Sequence, residues 1–223
     1  MILAIETSTP VCSIALGKPS GTAVEKRIEG RGVHSERTFT FIRELLERHN
    51  IGIGDLDTIL FSHGPGSYTG LRIGAAAIKG LLFQREVPLY TLPTLFSFSI
   101  PLLENQEVSV HSVIDARREH LYHQKIEKQN SGRFIVSDAA VKEISALETE
   151  LQEGDVVVGT GWDRIRVENR DRITWLGSEA ISARNLILGW NSNKIKPMFE
   201  KKDPSQFEPE YLTMAQVNNT KLS

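Results

Sequence analysis

The stretch from Thr58 to Gln84, TILFSHGPGSYTGLRIGAAAIKGLLFQ, is the part of this sequence that most constrains the fold. Its first residues, Thr58 to Ser62, are β-branched or apolar and predict a buried strand. Two glycines around Pro65 then predict a sharp turn. From Thr69 onward the apolar residues recur with the period of a helix, for which Thr69 or Ser67 is the predicted N-cap. The stretch therefore predicts a strand, a tight turn and a helix.

The glycine turn allows two interpretations. Gly66 and Ser67 precede the helix, where unpaired backbone N–H groups form a cradle for anions. Alternatively, the glycines simply allow close packing of a tight turn. No Gly-Lys-Ser/Thr ends the loop, so the P-loop pattern is absent, which favours packing.

The helix after this turn carries small residues, Gly70, Gly74 and Ala77, at spacings of three and four. Each interior glycine costs about 1 kcal/mol relative to alanine. A helix of this kind usually lets another backbone approach closely. That backbone belongs either to the chain's own sheet or to a partner, and the sequence leaves both possibilities open.

Several segments resemble those of the TsaB (YeaZ) family, whose bacterial members are needed to form threonylcarbamoyladenosine in tRNA. The segments are GPGSYTGLRIGAAAIKGL, ILAIETSTPVCSIAL, HSERTFTFIRELLERHNIGIGDLDTI, SVIDARREHLYHQKI and the closing PEYLTM. The resemblance covers Met1 to about Ile126 well, and the remainder matches mainly in length and pattern.

This resemblance implies an α/β, two-lobed actin-like (ASKHA, RNase H-like) fold. The expected N-terminal lobe, residues 1–104, has a mixed five-stranded sheet flanked by helices. The expected C-terminal lobe, residues 105–223, is smaller and related, and its last segment is expected to return to the first lobe. Ile5-Glu6 and Ile114-Asp115 each end a predicted strand, which hints at an internal repeat.

Nucleotide-binding members of this superfamily normally carry an aspartate and a glycine-bearing loop in the opening hairpin. Here the acid is Glu6, and the loop that follows it has no glycine. Glu6, Gly66, Ser67 and Asp115 remain the candidates for cofactor contact, although no cofactor is predicted. Glu6 and Asp115 either face each other across an interlobe cleft as paired carboxylates or end their strands and accept bonds from turn N–H groups.

Metal-binding and catalytic residues are not predicted. The catalytic paralogue family carries a His-x-x-x-His pair on the helix that begins here near His34. In this chain Thr38 stands where the second histidine would be. His120 and His123 lie three apart in a predicted strand and therefore on opposite faces.

The predicted surface for a protein partner lies on two helices. In the first, Phe39, Ile42, Leu45, Leu46 and His49 form the predicted buried stripe, from which Phe41 deviates. The predicted interface residues are Thr38, Phe41 and Arg43 on this helix and Gly70, Ile73, Gly74 and Ala77 on the next. The same surface is expected to form a homodimer when the partner is absent.

Composition limits the remaining possibilities. A net charge of −2 argues against a chain that grips nucleic acid alone. Cys12 is the only cysteine, which suits a reducing compartment. Glu6 interrupts the apolar start, so a signal peptide is not expected. Leu95 to Leu103, the longest apolar stretch, is far shorter than the roughly 20 residues of a membrane helix. We therefore expect a cytoplasmic protein without membrane contact.

The resemblance implies a non-catalytic scaffold. Such a chain would bind the catalytic actin-like paralogue TsaD, together with the ATPase TsaE, and reach tRNA only through that complex. The complex transfers a threonylcarbamoyl group to adenosine 37 of tRNAs reading ANN codons. The alternative is an ATP-dependent phosphotransferase or hydrolase of the same fold, using Glu6 and Asp115 around Mg²⁺.

Overall fold

A computed structural model of the chain describes residues 1–19, 21–103, 108–129 and 131–212. Within these ranges the chain forms two six-stranded sheets with α-helices on their faces. In chain order the elements are β1 (Ile2–Glu6), β2 (Val11–Gly17), β3 (Ala23–Glu29), α1 (Val33–Arg48), β4 (Thr58–Ser62), α2 (Tyr68–Leu82), β5 (Leu89–Leu92), α3 (Thr94–Ser99), β6 (Val108–Asp115), β7 (His120–Lys128), β8 (Phe134–Val136), β9 (Ala140–Glu143), α4 (Ile144–Glu150), β10 (Val156–Gly159), β11 (Thr174–Leu176), α5 (Arg184–Asn191) and β12 (Glu200–Lys202).

The first sheet has the strand order β3-β2-β1-β4-β5, followed by β12 at its edge. Strand β1 pairs antiparallel with β2 and parallel with β4, so the sheet is mixed. Both β1 and β4 are fully buried, which explains why their sequences are mainly apolar, with polar residues only at the strand ends. The five predicted strands are present. The sixth, Glu200–Lys202, was not predicted and pairs antiparallel with β5.

The second sheet repeats this arrangement. Its order is β8-β7-β6-β10-β11, and β9 also pairs with β7. Each sheet thus contains an antiparallel hairpin, β1–β2 or β6–β7, with two parallel strands beside its first strand. Glu6 and Asp115 are the last residues of the equivalent strands β1 and β6. The duplicated order confirms the predicted two-lobed α/β fold, while the expected lobe boundary at 104/105 lies outside the described residues.

Three apolar clusters hold five layers together. Helices α1 and α2 cover the outer face of the first sheet, α3 and α5 fill the space between the sheets, and α4 covers the outer face of the second. Leu3 and Ile5 of β1 face α1 and α2, whereas Ile2 and Ala4 face the layer between the sheets. This alternation is the period of a strand that is buried on both faces.

The second half departs most from the predicted elements. Helix α5 begins at Arg184 and follows a 3₁₀ turn over Ser178–Ala180. Helix α3 ends at Ser99, and Pro101 lies in a following 3₁₀ turn. Strands β9 and β11 and helix α4 were not predicted; their runs are short, and exposed positions interrupt the apolar pattern. In the described ranges no helix is both long and apolar enough to cross a bilayer.

Candidate functional site

The turn between β4 and α2 packs against the turn that follows β1. Ser67 caps α2, since its hydroxyl accepts a hydrogen bond of 3.2 Å from the N–H of Gly70. The N–H of Ser67 donates in turn to the carbonyl of Ser8, at 2.6 Å. A Cβ atom on Gly66 would lie 2.3 Å from that same carbonyl oxygen. The glycine at position 66 is therefore explained by packing against the turn after β1.

The small residues of α2 also contact this chain rather than open surface. A Cβ atom on Gly70 would lie 2.0 Å from the carbonyl oxygen of Thr7, and one on Gly74 would lie 2.6 Å from the ring of Phe61. Ala77 is completely buried. Of the two possibilities left open by the sequence, the close approach is thus to the chain's own sheet and turn. A bulky residue at position 74 would disrupt the fold before it could report on a partner.

The predicted interface residues of α1 are not equally accessible. Thr38 is completely buried, and its hydroxyl lies 3.5 Å from the Sγ atom of Cys12. Phe41 is half-buried under the ammonium group of Lys26, 5.7 Å from its ring centre. Arg43 is exposed, as expected. Phe39, which was predicted to be buried, is 51% exposed.

The physical reason is that the buried stripe of α1 includes polar residues. Its buried members are His34, Thr38, Ile42, Leu45 and Leu46. The Nε2 atom of His34 lies 3.3 Å from the carbonyl oxygen of Val11. Burial lowers the pKa of this imidazole. A prediction based on hydrophobicity alone places Phe39 on the buried face and therefore assigns the wrong face of α1 to the core.

A continuous exposed face remains on the two helices, and we call it the outer helical face. On α2 it comprises the exposed positions Thr69, Ala76 and Gly80 and the half-buried Ile73, and it continues to the exposed Phe83 directly after the helix. Beside it, α1, the following loop and the end of α2 enclose a groove of about 840 Å³. Phe39, Arg43, Leu46, Ile51 and Leu81 are among the residues that line the groove. Of the predicted interface residues, only Arg43 and Ile73 lie on this face or groove with their side chains accessible.

A second concave region, the interlobe cleft, lies where the hairpins of the two sheets face each other. It has a volume of about 740 Å³. Its lining includes Glu29, Arg31, Gly66, Ser67, Asp115 and Arg117. Three of the four predicted cofactor-contact residues therefore line one cleft. The fourth, Glu6, does not.

Glu6 is sealed beneath the turn that follows β1. Its Oε1 atom accepts hydrogen bonds from the N–H of Ser8, at 2.7 Å, and from the hydroxyl of Ser8, at 2.5 Å. Its Oε2 atom and the nearby hydroxyl of Ser62 are buried without a hydrogen-bond partner among the described residues. Burial raises the pKa of Glu6, and the nearby hydroxyl of Ser62 and the hydrogen bonds from Ser8 oppose that shift. A buried carboxyl group in this setting favours its neutral form.

Asp115 is exposed to the cleft but already paired. Its Oδ1 atom accepts hydrogen bonds from the guanidinium group of Arg164 and, at 2.8 Å, from the N–H of Arg117. Glu6 and Asp115 therefore do not form a pair of carboxylates across the cleft. Each instead accepts hydrogen bonds from the turn after its own strand, which is the other possibility left open by the sequence.

Sequence reasoning missed a buried polar chain in the second sheet. The Nδ1 atom of His111 lies 3.0 Å from the Nε2 atom of His123, and the Nε2 atom of His111 lies 3.2 Å from Asp155. Burial lowers the pKa of His111, which Asp155 opposes, and lowers the pKa of His123 to about 3. His111 of β6 and His123 of β7 are diagonal neighbours, because the register pairs His111 with Lys125 and His123 with Val113, so only the register of that hairpin would have revealed the pair. In the described parts of the chain, no group of three or more His, Cys, Asp and Glu residues is arranged to hold a metal ion.

The C-terminal segment, residues 203–212, crosses the central turn and joins the two sheets. Phe207 packs edge-on against Phe61 of the first sheet, with 5.8 Å between ring centres. The N–H of Glu210 donates to the carbonyl of His63, at 2.8 Å. The hydroxyl of Tyr122, in the second sheet, donates to the carbonyl of Leu212, at 3.3 Å. The closing PEYLTM segment thus has a structural role as far as residue 212, and its last two residues lie outside the described ranges.

Two α/β lobes with the same strand order, facing each other across a cleft, define the actin-like class of proteins. Comparison with known proteins is consistent with that class. The family model for TsaD, the tRNA N6-adenosine threonylcarbamoyltransferase, matches residues 31–167. The tRNA N6-adenosine threonylcarbamoyltransferase of Pyrobaculum aerophilum is 38% identical over 71 residues, which are 32% of this chain and 20% of that protein.

A more extensive similarity identifies the branch of that class. The tRNA threonylcarbamoyladenosine biosynthesis protein TsaB of Haemophilus influenzae is 31% identical over 171 residues, which are 72% of each chain. The solved structure of YeaZ from Pseudomonas aeruginosa superimposes with a TM-score of 0.73 and 25% identity, covering 95% of this chain and 99% of that one. The chain belongs to the TsaB family, whose role is in the threonylcarbamoyladenosine modification of tRNA.

Proposed function

We propose that this chain is a non-catalytic subunit of the complex that transfers a threonylcarbamoyl group to adenosine 37 of tRNAs reading ANN codons. Its outer helical face would bind the catalytic paralogue TsaD. Membership of the TsaB family supports the pathway, and the composition of the outer helical face supports the mode of action.

The observation that supports this proposal is the open space around Gly80. A Cβ atom on Gly80 would meet no other heavy atom within 4 Å, in contrast to Gly70 and Gly74. An interior helical glycine costs about 1 kcal/mol relative to alanine, and no contact within the described chain explains it. An unexplained glycine on an exposed helix face is accounted for if a second backbone approaches there.

The neighbours of Gly80 fit a helical partner. Thr69, Ile73, Ala76, Gly80 and Phe83 follow one another at spacings of four, three, four and three residues, the repeat with which one helix packs along another. Phe83 is 71% exposed, and Phe39 is 51% exposed beside the groove. Exposed aromatic side chains next to small residues are typical of the centre of an interface.

The remaining parts of the proposal concern the assembly. The ATPase TsaE is the third protein, and tRNA is bound through the complex because the chain's net charge is only −2. The outer helical face also serves a homodimer when TsaD is absent. We place the assembly in the cytoplasm.

The test compares two substitutions at one position. Gly80→Arg introduces a long charged side chain into open space, so the chain should fold but no longer co-elute with TsaD. Gly80→Ala is the graded comparison: it should fold, and its single methyl group should weaken pairing less than the arginine side chain does. In a reconstituted assay of tRNA threonylcarbamoylation, Gly80→Arg should lose activity while Gly80→Ala retains part of it. Co-elution of the folded Gly80→Arg variant with TsaD would refute the proposal.

The same assay tests the alternative of an ATP-dependent phosphotransferase or hydrolase. That activity requires Glu6 and Asp115 around Mg²⁺, although Glu6 does not line the cleft. The double variant Glu6→Gln, Asp115→Asn should therefore keep full activity in the assembly. Loss of activity in a variant that is folded and still paired would favour the enzymatic alternative.

A further inference from the structure

Two arginines face the interlobe cleft from opposite sheets. Arg31 follows β3 of the first sheet, and Arg117 lies in the β6–β7 turn of the second. Both are exposed, and neither forms an ion pair with a carboxylate in the described parts of the chain. By contrast, the guanidinium groups of Arg27, Arg164 and Arg172 all have acidic neighbours.

The acidic side chains of the cleft are already neutralised. The carboxylate of Asp115 forms an ion pair with the guanidinium group of Arg164. Glu29 lies 3.9 Å from the guanidinium group of Arg27 and accepts a hydrogen bond of 2.7 Å from the hydroxyl of Ser178. The unpaired charge on the cleft lining is therefore positive, even though the whole chain is slightly acidic. Such a local excess attracts anions.

The β6–β7 turn holds Arg117 at the cleft. Arg117 and Arg118 have φ angles of 71° and 50°, the left-handed conformation that a tight hairpin turn requires. The turn presents both guanidinium groups to solvent, with the exposed Glu119 as the adjacent acid.

An aromatic ring lies at the rim of the same cleft. Tyr68 lines the cleft and is 57% exposed. The guanidinium group of Arg72 lies over its ring, 5.2 Å from the ring centre, and donates a hydrogen bond of 2.5 Å to its hydroxyl. The ring of Tyr211 packs against the same ring, with 4.9 Å between ring centres, so Tyr68 and Tyr211 form an aromatic pair at the rim. Glu208 is the acidic group near Arg72. Exposed aromatic rings beside arginines are the elements with which proteins bind single-stranded nucleic acid.

We propose that the interlobe cleft binds the phosphate groups of tRNA, with Arg31 and Arg117 as phosphate ligands and Tyr68 as a stacking surface for a base. This inference rests on the proposed function, because tRNA reaches the cleft within the assembly. The hydroxyl of Thr160 on the lining accepts a hydrogen bond of 3.2 Å from the N–H of Asp115 and can donate its own proton to a phosphate or ribose oxygen. The chain would then contribute to tRNA affinity as well as to the protein interface.

The experiment measures the affinity of the reconstituted assembly for fluorescently labelled tRNA at several salt concentrations. The double variant Arg31→Ala, Arg117→Ala should weaken tRNA binding at least tenfold at low salt. It should also make the negative slope of log affinity against log salt shallower by about 2, because each of the two lost phosphate contacts contributes about 0.9. Tyr68→Leu should weaken binding with the slope unchanged, since stacking releases no counterions.

The matched control is Lys18→Ala, Arg133→Ala, which removes two exposed cations that do not line the cleft. Its affinity and slope should remain those of the wild type. An unchanged slope in the Arg31, Arg117 double variant would overturn the proposal. Failure of that variant to co-elute with TsaD would overturn it too, because the arginines would then contact protein.

A final comparison separates tRNA from small phosphate compounds. Calorimetric titration of the isolated chain with inorganic phosphate and with ATP tests the same two arginines. If the double variant loses phosphate or ATP binding while the assembly keeps its tRNA affinity, the cleft holds a small ligand and the RNA proposal is wrong. Pairing of the folded Gly80→Arg variant with TsaD would instead refute the proposed interface, independently of these results.

Discussion

The carbonyl oxygen of Thr7 lies 2.0 Å from the position that a Cβ atom on Gly70 would occupy. No side chain larger than hydrogen fits there without moving the backbone, since real Cβ contacts are not shorter than about 3.0 Å. Thr7 follows β1 and Gly70 lies in the first turn of α2, so this contact fixes the helix against the opening turn of the chain.

We expect Gly70→Ala to destabilise the protein by about 1–3 kcal/mol, the usual effect of overpacking. Gly80→Ala should stabilise it by up to about 1 kcal/mol, because only the helix propensity changes in open space. Urea unfolding of both variants measures the difference. Equal effects at the two positions would show that the Thr7 contact does not constrain α2.

The buried carboxyl group of Glu6 should make stability depend on pH. Its folded pKa is raised by burial, so the folded state holds the proton more tightly than the unfolded state. This contribution is fully present below the unfolded pKa of about 4.5 and is lost as pH rises through the folded pKa. Glu6→Gln keeps a neutral group and should be more stable than the wild type at pH 8 but not at pH 4.

The difference between the two unfolding free energies, measured from pH 4 to pH 8, isolates Glu6 from every other titrating group. Glu6→Ala is the comparison, because it leaves the N–H of Ser8 without its acceptor and should be destabilised at every pH. A difference that does not vary with pH would mean that burial does not raise the pKa of Glu6.

His123 should have the opposite pH dependence. Burial lowers its folded pKa to about 3, so the folded state binds fewer protons than the unfolded state at intermediate pH. Its contribution is present above the unfolded pKa of about 6.5 and is lost as pH falls towards 3, by an amount of the order of 4 kcal/mol. His123→Gln should flatten this acid decline in unfolding measurements.

His120→Gln is the matched control for that experiment. It removes an imidazole from the same strand, but not from the buried pair of His111 and His123. The control variant should show the acid decline of the wild type. If His123→Gln declines as steeply as this control, the buried imidazole is not the group responsible.

The hydrogen bond from Tyr122 to Leu212 should stabilise the C-terminal segment. Tyr122→Phe removes only the hydroxyl and should lower the free energy of unfolding by about 1 kcal/mol. Amide hydrogen exchange in residues 203–212 should increase. Tyr90→Phe is the control, because the contact of Tyr90 with Trp190, 4.5 Å between ring centres, is made by the ring. Equal exchange in both variants would indicate that the Tyr122 bond does not hold the segment.

The first half of the fold is predictable because its elements are long and regular. Strands β1, β2 and β4 are uniformly buried and mainly apolar, and α2 has both a helical period and a hydroxyl cap at Ser67. Local patterns of this kind are enough to predict the secondary structure without knowledge of the tertiary contacts. Strand β12, with three residues of which two are charged lysines, has no such pattern and exists only because β5 offers it an edge.

The candidate sites were less predictable, because they depend on which face of a helix is turned inward. The sequence of α2 identifies glycines that allow close approach, but Gly74 meets Phe61 whereas Gly80 meets nothing in the described chain. Likewise, Phe39 is exposed because the polar residues His34 and Thr38 take its expected place on the buried face. Only tertiary packing distinguishes these positions.

The pairing of β12 with β5 affects how the protein is made on the ribosome. The strands β1 to β5 are synthesised within the first 92 residues, yet residues 200–202 complete their sheet. Until then the outer edge of β5 has no strand to pair with, and an open edge is a site for wrong association. The nascent first lobe must therefore wait through the synthesis of the second for its last strand, and a chain released early would expose that edge.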